Sequence, residues 1–288
     1  APLHCSSAAS DVYKRQKFTK FIMIQLDSIH LYPCKGLAGI SVKETNIDDF
    51  GPEYDRRWML VDENNEFLTQ RQLPKMVLIR PEIQGKMLRL NAPGQAPHEI
   101  PLMPRSGTTT EVSIFGEQCE AWEASADSGN WFSQFLGSPC RPVFMPDSSR
   151  RDVDPDYAKN SARTSFTDGF PFLLIGIASL EDLNQRLEEP VEMRRFRPNF
   201  VISGSEAFEE DRMKRIQIGE ISFQVAKPCG RCRVTTVDPD RGEFSGKDPL
   251  KTLAGFRRQN GEALFGQNLI HEQQGRIRVG DSLKILEN

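Results

Sequence analysis

Histidine is scarce in this chain: His4, His30, His98 and His271 are the only four in 288 residues, and no two lie close together. A structural zinc site commonly needs two cysteine pairs, or one pair with two histidines. The single close pair here, Cys229 and Cys232, lacks such company in the sequence. Long apolar runs are missing too. The longest, Phe170 to Ala178, is about half of the ~18 residues a membrane span requires and is interrupted by Pro171. It reads as a buried strand, and no membrane span is expected. Excess charge of one sign is absent: 37 basic against 40 acidic residues leave a net charge of −3, which argues against nucleic acid or an anionic membrane as partner. The six cysteines, Cys5, Cys34, Cys119, Cys140, Cys229 and Cys232, are too dispersed for a disulfide framework, and no secretory signal is visible. A reducing, cytoplasmic setting follows as the expectation. Cys34, Cys119 and Cys140 read as small buried hydrophobes. Internal repeats and low-complexity tracts are lacking as well.

An initiating methionine is also missing; the first is Met23, inside an apolar pattern. Ala1–Gln16 is polar and aperiodic, so residues 1–20 are set aside as a disordered or foreign tail, and Cys5 goes with them. What remains is rich in short strand signals. Phe21–Leu26, Ile29–Tyr32, Trp58–Val61 with Phe67–Gln70 as a hairpin, Met76–Ile79 and Met87–Leu90 are all predicted strands. Ser125–Leu136 alone in this half has helical spacing, with Trp131, Phe132 and Phe135 on one stripe. The polar stretch Ser148–Ser161 reads as a solvated linker. Beyond it, Phe172–Ile177 is a buried strand and Ser179 the predicted cap of a helix carrying Leu180, Leu183 and Leu187. Ile221, Phe223 and Val225 alternate as a strand. Asp248-Pro249 opens another helix, and Arg276–Leu286 forms a hairpin about Gly280-Asp281. The expected fold is mainly β: an N-terminal β-barrel domain over 21–150 and a second barrel with a few short helices over 151–288.

The chemistry concentrates in Lys227-Pro228-Cys229-Gly230-Arg231-Cys232-Arg233. Two thiols stand among three cations, and a neighbouring cation favours the thiolate that ligates metals or attacks electrophiles. The pair is open to four readings: a redox dithiol, half of a zinc site, a soft ligand to a single metal, or inert buried cysteines. The β-branched run Val234–Val237 predicts extended chain beyond Cys232, with no helix N-terminus to activate a dithiol. Other cations stand at turns: Lys35 between Pro33-Cys34 and Gly36, Arg56 before the strand at Trp58, and Arg197 with Asn199 about Pro198. Together they form a candidate phosphate clamp, because planar guanidinium binds phosphate bidentately.

Tyr32–Gly36, Asp55–Trp58, Phe196–Asn199, Cys229–Cys232, Thr235–Pro239 and Phe265–Asn268 resemble, in order and spacing, the motifs of the MOSC family. The likeness is to its two-domain members with an N-terminal MOSC β-barrel, and it covers residues 21–288. The resemblance implies a molybdenum cofactor, a pyranopterin dithiolene, with Cys232 as the additional sulfur ligand and Cys229 unassigned; thiolate is a soft donor suited to this metal. It implies cofactor contacts at Lys35, Gly36, Arg56, Gly169, Phe170, Arg197, Asn199, Gly230 and Arg231. Arg231 and Arg233 would then keep Cys232 deprotonated. The implied activity is reduction of N-hydroxylated or N-oxygenated compounds, with electrons from a separate donor protein and Asp238 as a second catalytic candidate. Asp238 equally fits a turn before Pro239. The alternative is a carrier or sulfur-transfer protein for the same cofactor, and the family also carries an association with pyridoxal phosphate. Two departures stand out: Gly36 replaces a serine, and Gly169-Phe170 replaces a Thr-Ser pair, of the vertebrate members.

Overall fold

The computed structural model describes residues 23–158 and 162–288. The set-aside tail with Cys5, the start of the predicted strand at Phe21 and the end of the linker lie outside the described residues. The fold is mainly strands in several sheets, with three α-helices among the described residues. Its largest sheet has nine strands and runs in the order Ile40–Val42, Gln25–Leu31, Phe200–Ser203, Phe172–Gly176, Glu262–His271, Ile221–Arg231, Arg215–Ile218, Leu283–Glu287; the short strand Arg258–Gln259 pairs off this path. Neighbours are antiparallel except Phe172–Gly176 with Phe200–Ser203, which lie parallel, with helix Ile177–Asn184 in the connection between them. The chain leading into Leu283–Glu287 returns to the start of Gln25–Leu31, next to the other edge strand. Leu26 N–H donates to the Asp281 carbonyl at 2.9 Å, Gly280 N–H to that of Leu26 at 2.7 Å, and Leu283 N–H to that of Ile24 at 2.8 Å.

Enclosed by this sheet is a core built on Leu26, Ile29, Phe172, Phe200, Phe223 and Leu269. Leu26 and Ile29 are three residues apart, a spacing that in a regular strand would send them to opposite faces. A bulge between Leu26 and Ser28 absorbs the odd residue and turns both inward. The two strands predicted at Phe21–Leu26 and Ile29–Tyr32 are for this reason one strand, Gln25–Leu31.

A four-stranded sheet (Trp58–Val61, Arg141–Phe144, Glu117–Glu123, Thr108–Ile114) and a three-stranded one (Arg80–Gln84, Met87–Asn91, His98–Pro101) make up much of the remainder. Trp58–Val61 is buried on both faces. Trp58 and Leu60 pack into one core with Phe132 and Phe144, while Met59 and Val61 pack into another with Val112 and Phe166. Helix Ala126–Leu136 forms where the helical spacing predicts it, capped by Ser125, and ends at Gly137 in the left-handed conformation that glycine accepts at no steric cost. The three cysteines read as small hydrophobes, Cys34, Cys119 and Cys140, are all buried.

Several local expectations are corrected. Met76–Ile79 is not a strand: Pro74 opens a 3₁₀ turn over Pro74–Leu78, its ring presetting the helical φ. Helix Ile177–Asn184 starts at Gly176 rather than Ser179, whose buried hydroxyl instead donates to the Glu210 carboxylate at 2.7 Å. The linker is not simply solvated, since Ser149, Arg151 and Val153 are buried. The terminal hairpin does not form, because Gly275–Arg278 pairs with Glu44–Asp48 while Leu283–Glu287 pairs with Arg215–Ile218. Phe67 reaches Val61 through a single bridge. Strands from before residue 53 thus lie in sheets with strands from beyond residue 170, and the loops joining them converge on one cavity.

Phe223 is fully buried, with its ring 5.3 Å from that of Phe172 and 5.8 Å from that of Phe200. Phe223→Ala should cost about 3–5 kcal/mol of stability in urea denaturation; a loss below about 1 kcal/mol would show that this aromatic cluster does not hold the sheet.

Candidate active site

The site is built on two loops zipped together. Lys35 N–H donates to the Trp58 carbonyl at 2.8 Å, Trp58 N–H to Pro33 at 3.0 Å, and Arg56 N–H to Tyr32 at 2.8 Å. Tyr32 N–H is held by the buried carboxylate of Asp55 at 2.7 Å, and the Tyr32 hydroxyl donates to the Pro198 carbonyl at 3.1 Å. Over the ring of Tyr32 lie two guanidiniums, Arg56 at 4.5 Å and Arg197 at 4.3 Å from its centroid. Both arginines have positive φ, 50° and 56°, a conformation that costs a non-glycine residue and clusters at functional sites. Burial pushes Arg197 down to about 10, helped by the charge of Arg56 and opposed by Tyr32 and by the carboxylates of Asp168 and Asp55. Burial acts on Arg56 in the same direction, but the adjoining Asp55 carboxylate outweighs it and the net shift is upward.

Lys35 points into the same cavity. Its ammonium donates to the Phe166 carbonyl at 2.9 Å and pairs with the Asp168 carboxylate. Burial pushes it down to about 8, with Asp168 opposing and Arg151 and Arg56 reinforcing the shift. The Asp168 side chain is exposed to the cavity, whose walls still take part of its water and disfavour the ionised form, yet Lys35, Arg56 and Arg71 together hold its carboxyl below the usual range.

The cysteine segment closes the opposite wall. Strand Ile221–Arg231 pairs with Glu262–His271, and its register shifts between Val225 and Lys227 and again between Pro228 and Gly230. Such bulges re-aim side chains beside a site. Beyond the strand the chain does not stay extended: Arg233–Thr236 forms one 3₁₀ turn with Cys232 as its cap. The cations are placed otherwise than expected. Arg231 donates to the Cys229 sulfur at 3.0 Å and to the Phe196 carbonyl at 2.7 Å, and Arg233 stacks on Phe244, 3.8 Å from its centroid. The guanidinium that interacts with Cys232 across the cavity is that of Arg71. The resulting cavity, of about 310 Å³, is lined by the basic side chains of Lys35, Arg56, Arg71, Arg197, Lys227 and Arg231 against only Asp168 and Glu262, with Cys229 and Cys232 in the wall.

Comparison with known proteins agrees with this arrangement. The MOSC N-terminal beta barrel domain model matches residues 23–139, and the MOSC domain model residues 161–284. The chain belongs to the MOSC family. Among relatives of this MOSC chain, mitochondrial amidoxime reducing component 2 of Rattus norvegicus is 34% identical over 276 residues, covering 89% of this chain and 81% of that protein. Mitochondrial amidoxime-reducing component 1 of Homo sapiens is 33% identical over 273 residues, with the same coverage of 89% and 81%. Molybdenum cofactor sulfurase of Oryza sativa subsp. japonica is 34% identical over 269 residues, which are 86% of this chain but 33% of that longer protein. Two of these names refer to amidoxime reduction and one to a molybdenum cofactor, and none refers to pyridoxal phosphate.

Of the residues singled out from sequence, Lys35, Gly36, Arg56, Phe170, Arg197, Asn199, Gly230, Arg231 and Cys232 all line the MOSC cavity, and Gly169 sits between lining residues 168 and 170. Asn199 is spent on the scaffold: its amide donates to the His30 carbonyl at 3.2 Å and accepts from Arg56 at 3.1 Å and from Leu173 N–H at 3.2 Å. Asp238 is not brought to the cavity. Its carboxylate accepts the N–H groups of Asp240 and Arg241 at 2.9 and 3.0 Å and pairs with the Arg241 side chain, the turn-forming alternative. Asp168, Arg71 and Phe115 were missed as lining residues, while Lys227, singled out with the cysteine segment, lines the cavity as well. Asp168 had a signal, the Asp-Gly turn pair; Arg71, in Gln70-Arg71-Gln72, had none. At Gly36 the φ is +84° and an added Cβ would meet the Met76 methyl at 2.5 Å, so the serine of the vertebrate pattern would strain the backbone here and require the end of Met76 to move.

Between the folded value of about 8 for Lys35 and its ordinary 10.5, the unfolded chain holds a proton that the folded one has lost, so stability rises with pH across that window. The unfolding free energy of wild type minus that of Lys35→Met, from urea titrations, should climb there with a slope approaching about 1.4 kcal/mol per pH unit. A flat difference would show that the ammonium is not held down by burial.

Proposed function

We propose that this MOSC protein holds a molybdenum cofactor in the cavity between its loops and reduces N-hydroxylated or N-oxygenated small molecules. The observation that carries the proposal is the convergence of Lys35, Arg56 and Arg197 with the Cys232 thiol on one cavity. The residues suit such a group. A basic lining accepts its phosphate, Cys232 offers the soft sulfur donor, and the buried Arg231 Nε has no protein partner in the cavity wall. Among the described residues no three His, Cys, Asp or Glu side chains gather to hold a metal unaided, so a metal here takes further ligands from a bound group.

When bound, the cofactor supplies a two-electron couple suited to removing oxygen from nitrogen. The net reaction consumes two electrons and two protons, turning an N–OH into N–H and water. The chain's own part is placement. Lys35, Arg56 and Arg197 fix the anionic end, and Arg71 adds positive charge beside Cys232. Phe115 and Phe170 add apolar surface to the wall and keep water from part of it. Asp238, spent in its turn, has no role in this reading. Electrons come from a separate donor protein. No helix among the described residues is long and apolar enough to cross a membrane. The proposed setting is a reducing compartment, the cytoplasm in the simplest case, where the five described cysteines stay free.

The likeness to molybdenum cofactor sulfurase favours a second reading, a carrier or sulfur-transfer protein that uses the same cavity without reducing a substrate. Two measurements separate the cases. Protein produced with cofactor supply should contain molybdenum by elemental analysis; Cys232→Ala should lose most of it while Cys229→Ala keeps it, and the reverse would overturn the ligand assignment. Chemically reduced protein should be re-oxidised with repeated turnover by an amidoxime or a hydroxylamine. A carrier would hold molybdenum but show no turnover.

A further inference from the structure

The Asp168 carboxylate sits oddly for a salt-bridge partner. Its side chain is 72% exposed, standing in the open cavity, while the Lys35 side chain beneath it is only 7% exposed. Around it lie Arg56 and Arg71, both acting on its charge. The segment leading to it is pinned. Arg151, buried, donates to the Ser165 and Thr167 carbonyls at 3.0 and 2.9 Å and is itself held by Glu117 at 2.7 Å. The Thr164 and Thr167 hydroxyls bond at 2.7 Å. The pinning continues past Asp168, since Gly169 N–H donates to the Thr167 hydroxyl at 3.2 Å. Gly169 has φ +140°, a conformation open chiefly to glycine, and a Cβ built there would have no neighbour within 4 Å. The backbone is thus fixed on both sides of Asp168, while its exposed side chain has room to turn away from Lys35.

We propose that Asp168 is a stand-in anion: its carboxylate takes the ammonium seat of Lys35 and yields it to the phosphate of an incoming ligand. Lys35 keeps its Phe166 carbonyl throughout and exchanges one oxyanion for another. The arrangement makes Asp168 a specificity-determining residue. A monoanion offers no more charge than the carboxylate it must displace, whereas a phosphate monoester carries about −1.5 to −2 near neutral pH and gains more from Lys35, Arg56 and Arg71 together. Selection is then for doubly charged phosphate over carboxylate ligands. Removing Asp168 should tighten anion binding while weakening the empty protein, a pair of opposite effects that a merely structural residue would not give.

This inference deepens the reading of the cavity as a phosphate-bearing cofactor's site, and its test needs no molybdenum. The full-length chain, prepared without cofactor, is titrated calorimetrically with inorganic phosphate and with acetate. Asp168→Asn should bind phosphate about tenfold more tightly than wild type, lose part of its preference for phosphate over acetate, and melt at a lower temperature when no anion is present. Asp168→Glu should keep near wild-type affinity, and Asp168→Ser provides a second neutral variant should the first not fold. Phosphate affinity unchanged or weakened in both neutral variants overturns the proposal, as does no phosphate binding by any form. Neither result touches the cofactor reading, which stands or falls on the molybdenum content and turnover of wild type.

Discussion

Two guanidiniums over one buried phenol ring are the constraint from which the rest of this site follows. Arg56 and Arg197 repel each other, and burial penalises both. What keeps them together is a set of acceptors that leaves little freedom. Asp55 pairs with Arg56, Asn199 accepts from it, the Leu37 carbonyl takes Arg197 at 2.6 Å, and the Tyr32 ring offers its face to both. These partners come from residues 32–56 and 197–199, so the first loops of the chain cannot be positioned without the strands that enter near Phe172 and Phe200. Concentrated positive charge with so few acids around it stores an electrostatic demand that an anionic ligand satisfies.

That demand explains why an unequal pair of cysteines faces the cavity. Cys229 shares the guanidinium of Arg231, and Cys232, one turn further along, is met by Arg71 from a different loop. The two bulges in Ile221–Arg231 make this difference, because each slips the register of the strand against Glu262–His271 just before the thiols. A regular strand would have sent alternate side chains to alternate faces along its whole length.

Much of this was legible in the sequence, for specific physical reasons. Alternating apolar residues exposed the strand at Ile221–Val225, and the stripe of Trp131, Phe132 and Phe135 marked a helix, because these signals are local. Turn residues flagged Lys35, Arg56 and Arg197 individually, though only the fold could show that they converge. Arg71 and Asp168 escaped because their importance lies in partners more than a hundred residues away, Cys232 and Lys35. Asp238 misled for the opposite reason: it is an acid in a matching motif, but its own turn consumes its carboxylate. The linker misread Arg151 in the same way, since composition records its charge and not the carbonyls it clamps.

The contact between Gly36 and Met76 reaches further than its size suggests. Met76 stands in the 3₁₀ turn that Pro74 initiates, and its thioether fills the space a β-carbon at position 36 would need. The two positions are therefore one unit of variation. A side chain at the first would need a smaller or differently turned residue at the second, so the methionine in its 3₁₀ turn sets how much volume the Lys35 loop can spend on the cavity side.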